Sequence, residues 1–307
     1  MEDLLVNPYD EMRRSLHIIR DCLMESHNIA RVLVACLANV QQYIDVVDYA
    51  KDFEKMGGFQ VFPELLDYPS SLVRIETCAL IAELVQNNPH CQRAALLSTR
   101  RLLRLLDSEP DDEVRCKALY ALSCMVRQNK AAYGSFEKLG GPVLLRKILF
   151  EATNRQGYFP PVPCNLSRRE ASMAIAYECE RGCDRRLKTK ASFLVAALCS
   201  QEDGFRASLA ASDFARDASE LLPRVDGDCR QFLLSALLTL ATRSPQPLLK
   251  EEPARDALAA TLDGFIREHG GAAQYQEEVQ YSAEILDLIR GRSELAQGAP
   301  HAPVAIH

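Results

Sequence analysis

Tryptophan is absent from these 307 residues, and aromatic side chains make up only 7% of the chain. A core without many large rings must be filled by Leu and Ala, which suits closely packed helices. No run approaches 18 uninterrupted apolar residues, so the sequence offers no helical membrane span. There is no excess of positive charge either. The formal net charge is −6, which argues against bulk attraction to nucleic acid or anionic lipid. The opening stretch MEDLLVNPYDEMRR has neither the basic nor the apolar segment of a secretory signal. Residues 302–307 carry no lipidation or retention signal, so a cytoplasmic protein is expected.

Catalytic signatures are missing as well. There is no GxxxxGK[ST] and no GxGxxG after a strand, hence no phosphate cradle. The pairs Asp111-Asp112 and Glu251-Glu252 read as cap or loop charges. Cysteine, in contrast, is plentiful, with eleven residues. An odd count, mostly on apolar helix faces, points to buried reduced thiols rather than a disulfide framework. Cys164, Cys179 and Cys183 have no nearby His and no CxxC pair, so they make a poor metal site. His90-Cys91 finds no third partner and reads as a surface turn. The sequon Asn165-Leu166-Ser167 would matter only in a secreted chain. No enzyme activity, cofactor or metal is expected.

What the chain does have is a motif that returns with fixed internal spacing. Val73, Thr77, Leu80, Ile81 and Leu84 are matched by Val114, Ala118, Ala121, Leu122 and Met125. Leu187, Ala191, Leu194, Val195 and Leu198 follow, and then Cys229, Leu233, Ala236, Leu237 and Leu240. Counted from an anchor at Thr77, Ala118, Ala191 and Leu233, the offsets are −4, 0, +3, +4 and +7. At 100° per residue these positions fall on one side of a helix, so each segment buries an apolar stripe. A period near 40 of such units marks an α-solenoid.

Local signals fill in the unit. Asp10 is a plausible N-cap for a helical region over 10–50. Gly57-Gly58 ends one helix and opens the next unit, and Gly140-Gly141-Pro142 repeats the device. Short helices over 59–66, 99–106 and 144–150 precede long ones over 72–87, 113–128 and 187–201, the first stopped by Asn88-Pro89. The third linker is 31 residues too long, which places an insertion at about 152–186, with Gly157, Pro160, Pro161 and Pro163 followed by a helical stretch over 167–180. It is expected to be a mobile excursion, because inter-helix loops accept insertions without disturbing the stacked core. Further helices are expected over 230–242, 252–268 and 273–290. The domain plan is thus an N-terminal helical cap at 1–35, repeats over 36–290 and a disordered tail at 291–307. The run Arg181, Arg185, Arg186, Lys188, Lys190 reads as a solvated loop flanking a helix.

The Gly-Gly, short-helix, long-helix unit resembles armadillo repeats. LLRLLD at 102–107 with EVRCKALYALSCMVR at 113–127 narrows the likeness. So do DYAKDF at 48–53, KASFLV at 190–195 and YQEEV at 275–279. Together they resemble the cytosolic armadillo-type nucleotide exchange factors that bind the seventy-kilodalton heat-shock chaperone. The resemblance covers about residues 36–290; the insertion and the sequence before residue 36 depart from it. It implies an all-α, armadillo-like right-handed α-solenoid that grips the nucleotide-binding domain of the chaperone with its concave surface. It implies nucleotide release without catalysis, by a monomer that contacts neither nucleic acid nor membrane.

In an armadillo stack, offsets −1, +2 and +6 of the long helices line the concave groove. They give Glu76, Ala79 and Glu83, then Lys117 and Tyr120, then Lys190 and Phe193, then Ser235 and Thr239. The alternative is a generic armadillo scaffold that captures an extended peptide. Such scaffolds present an Asn ladder at +6. Here +6 reads Glu83, Cys124, Ala197 and Thr239, which favours a folded partner.

Overall fold

The computed structural model describes residues 7–24, 29–44, 47–150, 168–225, 227–244 and 252–291, with only the backbone at 47, 168–184 and 252–254. Every regular element among the described residues is helical. None of these helices is long and apolar enough to cross a membrane. Helices α1 (Pro8–Met24) and α2 (Ala30–Gln41) come first. Three triplets follow. The first is α3 (Val47–Lys55), α4 (Phe62–Leu66) and α5 (Ser71–Val85). The second is α6 (Pro89–Ala94), α7 (Thr99–Ser108) and α8 (Asp112–Val126). The third is α9 (Lys130–Lys138), α10 (Gly141–Phe150) and α11 (Arg168–Gln201). After them come α12 (Asp203–Ala210), α13 (Phe214–Leu221), α14 (Gly227–Arg243), α15 (Glu252–His269) and α16 (Gln276–Ile289). The chain divides into two compact units, Met1–Leu194 and Val195–His307, and the division falls inside α11.

All residues of the repeated motif are buried. The long helices bury more than the expected stripe, however. Cys78, Ala82 and Val85 on α5 are covered too, as are Cys116, Leu119, Ser123, Cys124 and Val126 on α8. The reason is position: α5 is packed by α2, α4, α6 and α8, so only a narrow strip stays open.

Unit boundaries use one device twice. Gly57 and Gly140 adopt the left-handed conformation at φ 76° and 83°, where a Cβ would be strained. The following glycines, Gly58 and Gly141, lie under the rings of Phe53 and Phe136, which a Cβ would approach to 2.3 Å. Asn88 and Asn129 open α6 and α9 by accepting from the backbone N–H of Cys91 and Ala132, at 3.3 and 3.1 Å. Residues Asn87 and Gln128, with φ of 53° and 57°, make the sharp exit from each long helix.

A cation three residues before each anchor ties short helix to long. Arg74 donates to the carbonyls of Tyr68 and Pro69 at 2.7 and 2.9 Å, and pairs with Glu109 at 2.8 Å. Arg115 donates to the Leu106 carbonyl and Arg230 to that of Leu222, each at 3.2 Å. Lys188, at the same register, is buried. Arg115 thus satisfies one of the last carbonyls of α7, where a cation complements the helix dipole, while Arg74 satisfies carbonyls of the turn that follows α4.

Several expectations need correction. Asn88-Pro89 does not merely stop a helix; it caps and starts α6, because Pro needs no N–H partner in a first turn. His90-Cys91 is therefore not a surface turn. The Cys91 thiol is buried, 3.6 Å from the Ala50 carbonyl, while His90 meets Glu54 at 3.1 Å. The first helix is capped by Asn7, whose side chain accepts from Tyr9 at 3.1 Å, so Asp10 lies inside the first turn. Helices α6, α9, α12 and α13 are additions to the expected pattern. Helix α11 runs unbroken from Arg168, so the helical stretch expected over 167–180 is present but is continuous with the long helix rather than separated from it before 187. The remainder of the proposed insertion, 152–167, and the tail from 292 lie outside the described residues.

Candidate protein-binding face

The strip left open on the long helices is the one that carries the candidate residues. On α5, Glu76 and Ala79 are half-buried and Glu83 is exposed. On α8, Lys117 is half-buried and Tyr120 is exposed; on α11, Lys190 and Phe193 are half-buried. These positions alternate with buried ones because a helix between two neighbours opens only every third or fourth residue. Ser235 and Thr239 are half-buried on α14, in the second unit, where the Thr239 hydroxyl donates to the Ser235 carbonyl at 2.9 Å.

Within the first unit the aromatics do not simply fill space between helices. The Lys190 ammonium lies 5.0 Å from the Tyr120 ring centroid. The Arg127 guanidinium lies 5.1 Å from that of Phe193 and donates to the Ser123 carbonyl at 3.3 Å. Both distances are within range for cation–π attraction. The α8–α11 seam thus holds two cations over two rings, each contact crossing between helices. Glu113 and Arg186 pair across the same seam at 2.9 Å. The basic run at 185–190 is helical, not a flanking loop, with Lys188 turned inward. Sequence reasoning missed Arg127, Glu113 and Arg186. The signal for the last two was available, since both stand five residues before their anchors and so meet in register.

Burial raises the Tyr120 hydroxyl above its ordinary value, with Cys124 and its hydrogen bond adding to the shift, so the phenol stays neutral. Burial likewise raises the Cys124 thiol, against the opposing pull of Arg127. Elsewhere the Cys91 and Cys199 thiols are pushed up to about 12 by burial, and Cys78 further still. Thiols held protonated in this way are poor nucleophiles and poor metal ligands. Among the described residues no group of three His, Cys, Asp or Glu is placed to hold a metal.

Fold and face together define an all-α solenoid of the armadillo type with a mixed charged and aromatic strip on its long helices. Solved structures agree on the fold. A designed armadillo repeat protein in complex with the peptide (KR)4 matches at TM-score 0.65 and 16% identity, over 90% of this chain and 99% of that one. SYS-1 matches at TM-score 0.58 and 11% identity, over 91% of this chain and 49% of that one. Sequence comparisons add a narrower likeness. Residues 49–158 match the model of the SIL1/FES1/HPBP1 C-terminal domain. Nucleotide exchange factor SIL1 of Xenopus laevis is 26% identical over 262 residues, which is 83% of this chain and 54% of the relative. Human Hsp70-binding protein 1 is 25% identical over 246 residues, or 78% and 59%. Hsp70 nucleotide exchange factor FES1 of Mycosarcoma maydis is 33% identical over 120 residues, or 38% and 31%. The resemblance read from the repeats is borne out by these matches. The chain spans a little over half the length of the SIL1 and Hsp70-binding relatives.

Proposed function

We propose that this protein is a co-chaperone that promotes nucleotide release from an Hsp70-class chaperone. It grips the nucleotide-binding domain with the strip that runs through Glu76, Ala79, Glu83, Lys117, Tyr120, Lys190 and Phe193, with Ser235 and Thr239 at the same register in the second unit. The observation that carries this reading is the match over 49–158, which contains both α5 and α8, the helices that bear five of these residues. No group has to touch the nucleotide. A protein that binds the nucleotide-free chaperone more tightly than the loaded one lowers nucleotide affinity by the same factor. The role is therefore one of binding rather than catalysis, performed by a monomer in the cytoplasm. The test is release of a fluorescent nucleotide from a purified Hsp70-class chaperone. Acceleration by the wild type supports the assignment. If wild type accelerates nothing, the exchange-factor reading fails and a general armadillo scaffold replaces it.

A further inference from the structure

The open strip of the first unit is not uniformly charged. On α5 its ionisable groups are the carboxylates of Glu76 and Glu83. One long helix further, Lys117 stands a turn before Tyr120, and Arg127 and Lys190 are drawn in over the rings of Phe193 and Tyr120. Glu113, the carboxylate at the α8 end of this seam, is already engaged by Arg186 at 2.9 Å. A chain with a net charge of −6 therefore concentrates cations at one seam of a single face. Ring contacts restrain the two cations, which lowers the entropy lost when a partner anion binds them. Tyr and Arg are also the residue types that dominate binding energy at the centres of interfaces.

We propose that the α8–α11 seam, formed by Lys117, Tyr120, Arg127, Lys190 and Phe193, receives an acidic patch on the folded partner, and that the carboxylates of α5 repel that patch and so fix its position along the face. The inference rests on the exchange-factor reading and adds the charge of the partner surface and its placement. Arg127 becomes a contact residue of the face. Association is steered by this charge, so it is fast at low ionic strength and slows as salt screens the seam.

The experiment is stopped-flow association of the full chain with a purified, labelled Hsp70-class nucleotide-binding domain, at about 25 and about 300 mM NaCl. Helicity of each variant is checked by circular dichroism. Lys117→Glu/Lys190→Glu should slow association at least about tenfold at low salt, with the difference shrinking at high salt. Arg127→Gln should raise the dissociation rate. Glu76→Lys/Glu83→Lys should speed association. Arg93→Glu, a single charge reversal on α6, should leave the rate unaltered. Salt-independent association, or a folded Lys117→Glu/Lys190→Glu variant that associates as fast as wild type, would overturn the proposal. So would a slower rate for Glu76→Lys/Glu83→Lys. Failure of the wild type to bind at all counts against the exchange-factor reading itself, whereas binding without these charge effects removes only the acidic-patch assignment.

Discussion

The two units bury the same motif but dress its open strip differently. In the first, offsets −1 and +2 carry Glu76, Ala79, Lys117, Tyr120, Lys190 and Phe193, and cations lie over rings across the α8–α11 seam. In the second, Phe232 sits at −1, Ser235 at +2 and Thr239 at +6, with no cation among them and the Thr239 hydroxyl bonded into its own helix. The motif continues further than the sequence suggested. On α16 the offsets −4, +3 and +4 from Ser282 fall on Glu278, Ile285 and Leu286, all buried, while Ile289 at +7 is half-buried; Arg230 reaches Glu278 at 3.6 Å. Core positions thus recur in both units and are filled mostly by small or branched apolar groups, with a polar group such as Thr77, Ser282 or Glu278 at a few of them. Strip positions do not recur in this way, because nothing in the fold dictates them.

The largest effect should be common to both units. Leu122→Ala and Leu237→Ala each remove a fully buried side chain and should cost about 2–5 kcal/mol in urea unfolding. A negligible loss at either would mean that its helix phase is wrong. Glycines should separate the units. Gly141→Ala drives a Cβ to 2.3 Å from the buried Phe136 ring and should cost about 1–3 kcal/mol. Gly227→Ala meets open space and is penalised only for its φ of 49°, about 1 kcal/mol. Equal losses would remove the distinction.

On the strip the contrast is functional. Ala79→Arg, by bulk and charge, and Tyr120→Ala should reduce accelerated nucleotide release about tenfold or more while leaving the fold intact, since interface centres tolerate such changes poorly. Ser235→Arg should reduce it less. If the folded Ala79→Arg and Tyr120→Ala variants both work like wild type, the face is not the site.

A smaller effect is expected at alkaline pH. The Cys91 and Cys199 thiols are held protonated up to about 12 in the fold, against an ordinary value of 9.0. Unfolded chains release these protons first, so the contribution is complete below about pH 9 and is lost as pH rises toward 12. Cys91→Ser and Cys199→Ser should each flatten the decline in melting temperature between pH 9 and 10. Smallest of all, Glu113→Gln breaks a solvent-accessible pair and should cost at most about 1 kcal/mol.

Local chemistry made much of this legible. The 3.6-residue period, the paired glycines and the repeated short and long helices can be read directly from the chain. Helices α6, α9, α12 and α13 were not legible, because at six to nine residues they carry about two turns each and too few periods to register. Asn88-Pro89 misled for a related reason: the same dipeptide that ends one helix can begin the next, and only the Asn88 side-chain bond to Cys91 decides. The cation three residues before each anchor was visible as Arg74, Arg115, Lys188 and Arg230. Its role was not, since the carbonyls that Arg74, Arg115 and Arg230 satisfy belong to other segments.

The sequence by itself determined the class of fold, the phase of the long helices and the strip that stays open, because all three follow from spacing along one chain. The tertiary structure decided what that strip is made of. Lys190 reaches Tyr120, Arg127 covers Phe193, and Arg186 takes Glu113 only because α8 and α11 lie side by side. Pairings between residues some 70 positions apart depend on the stacking of whole helices; the repeat register aligns Glu113 with Arg186, but only the packing of α8 against α11 closes the contact.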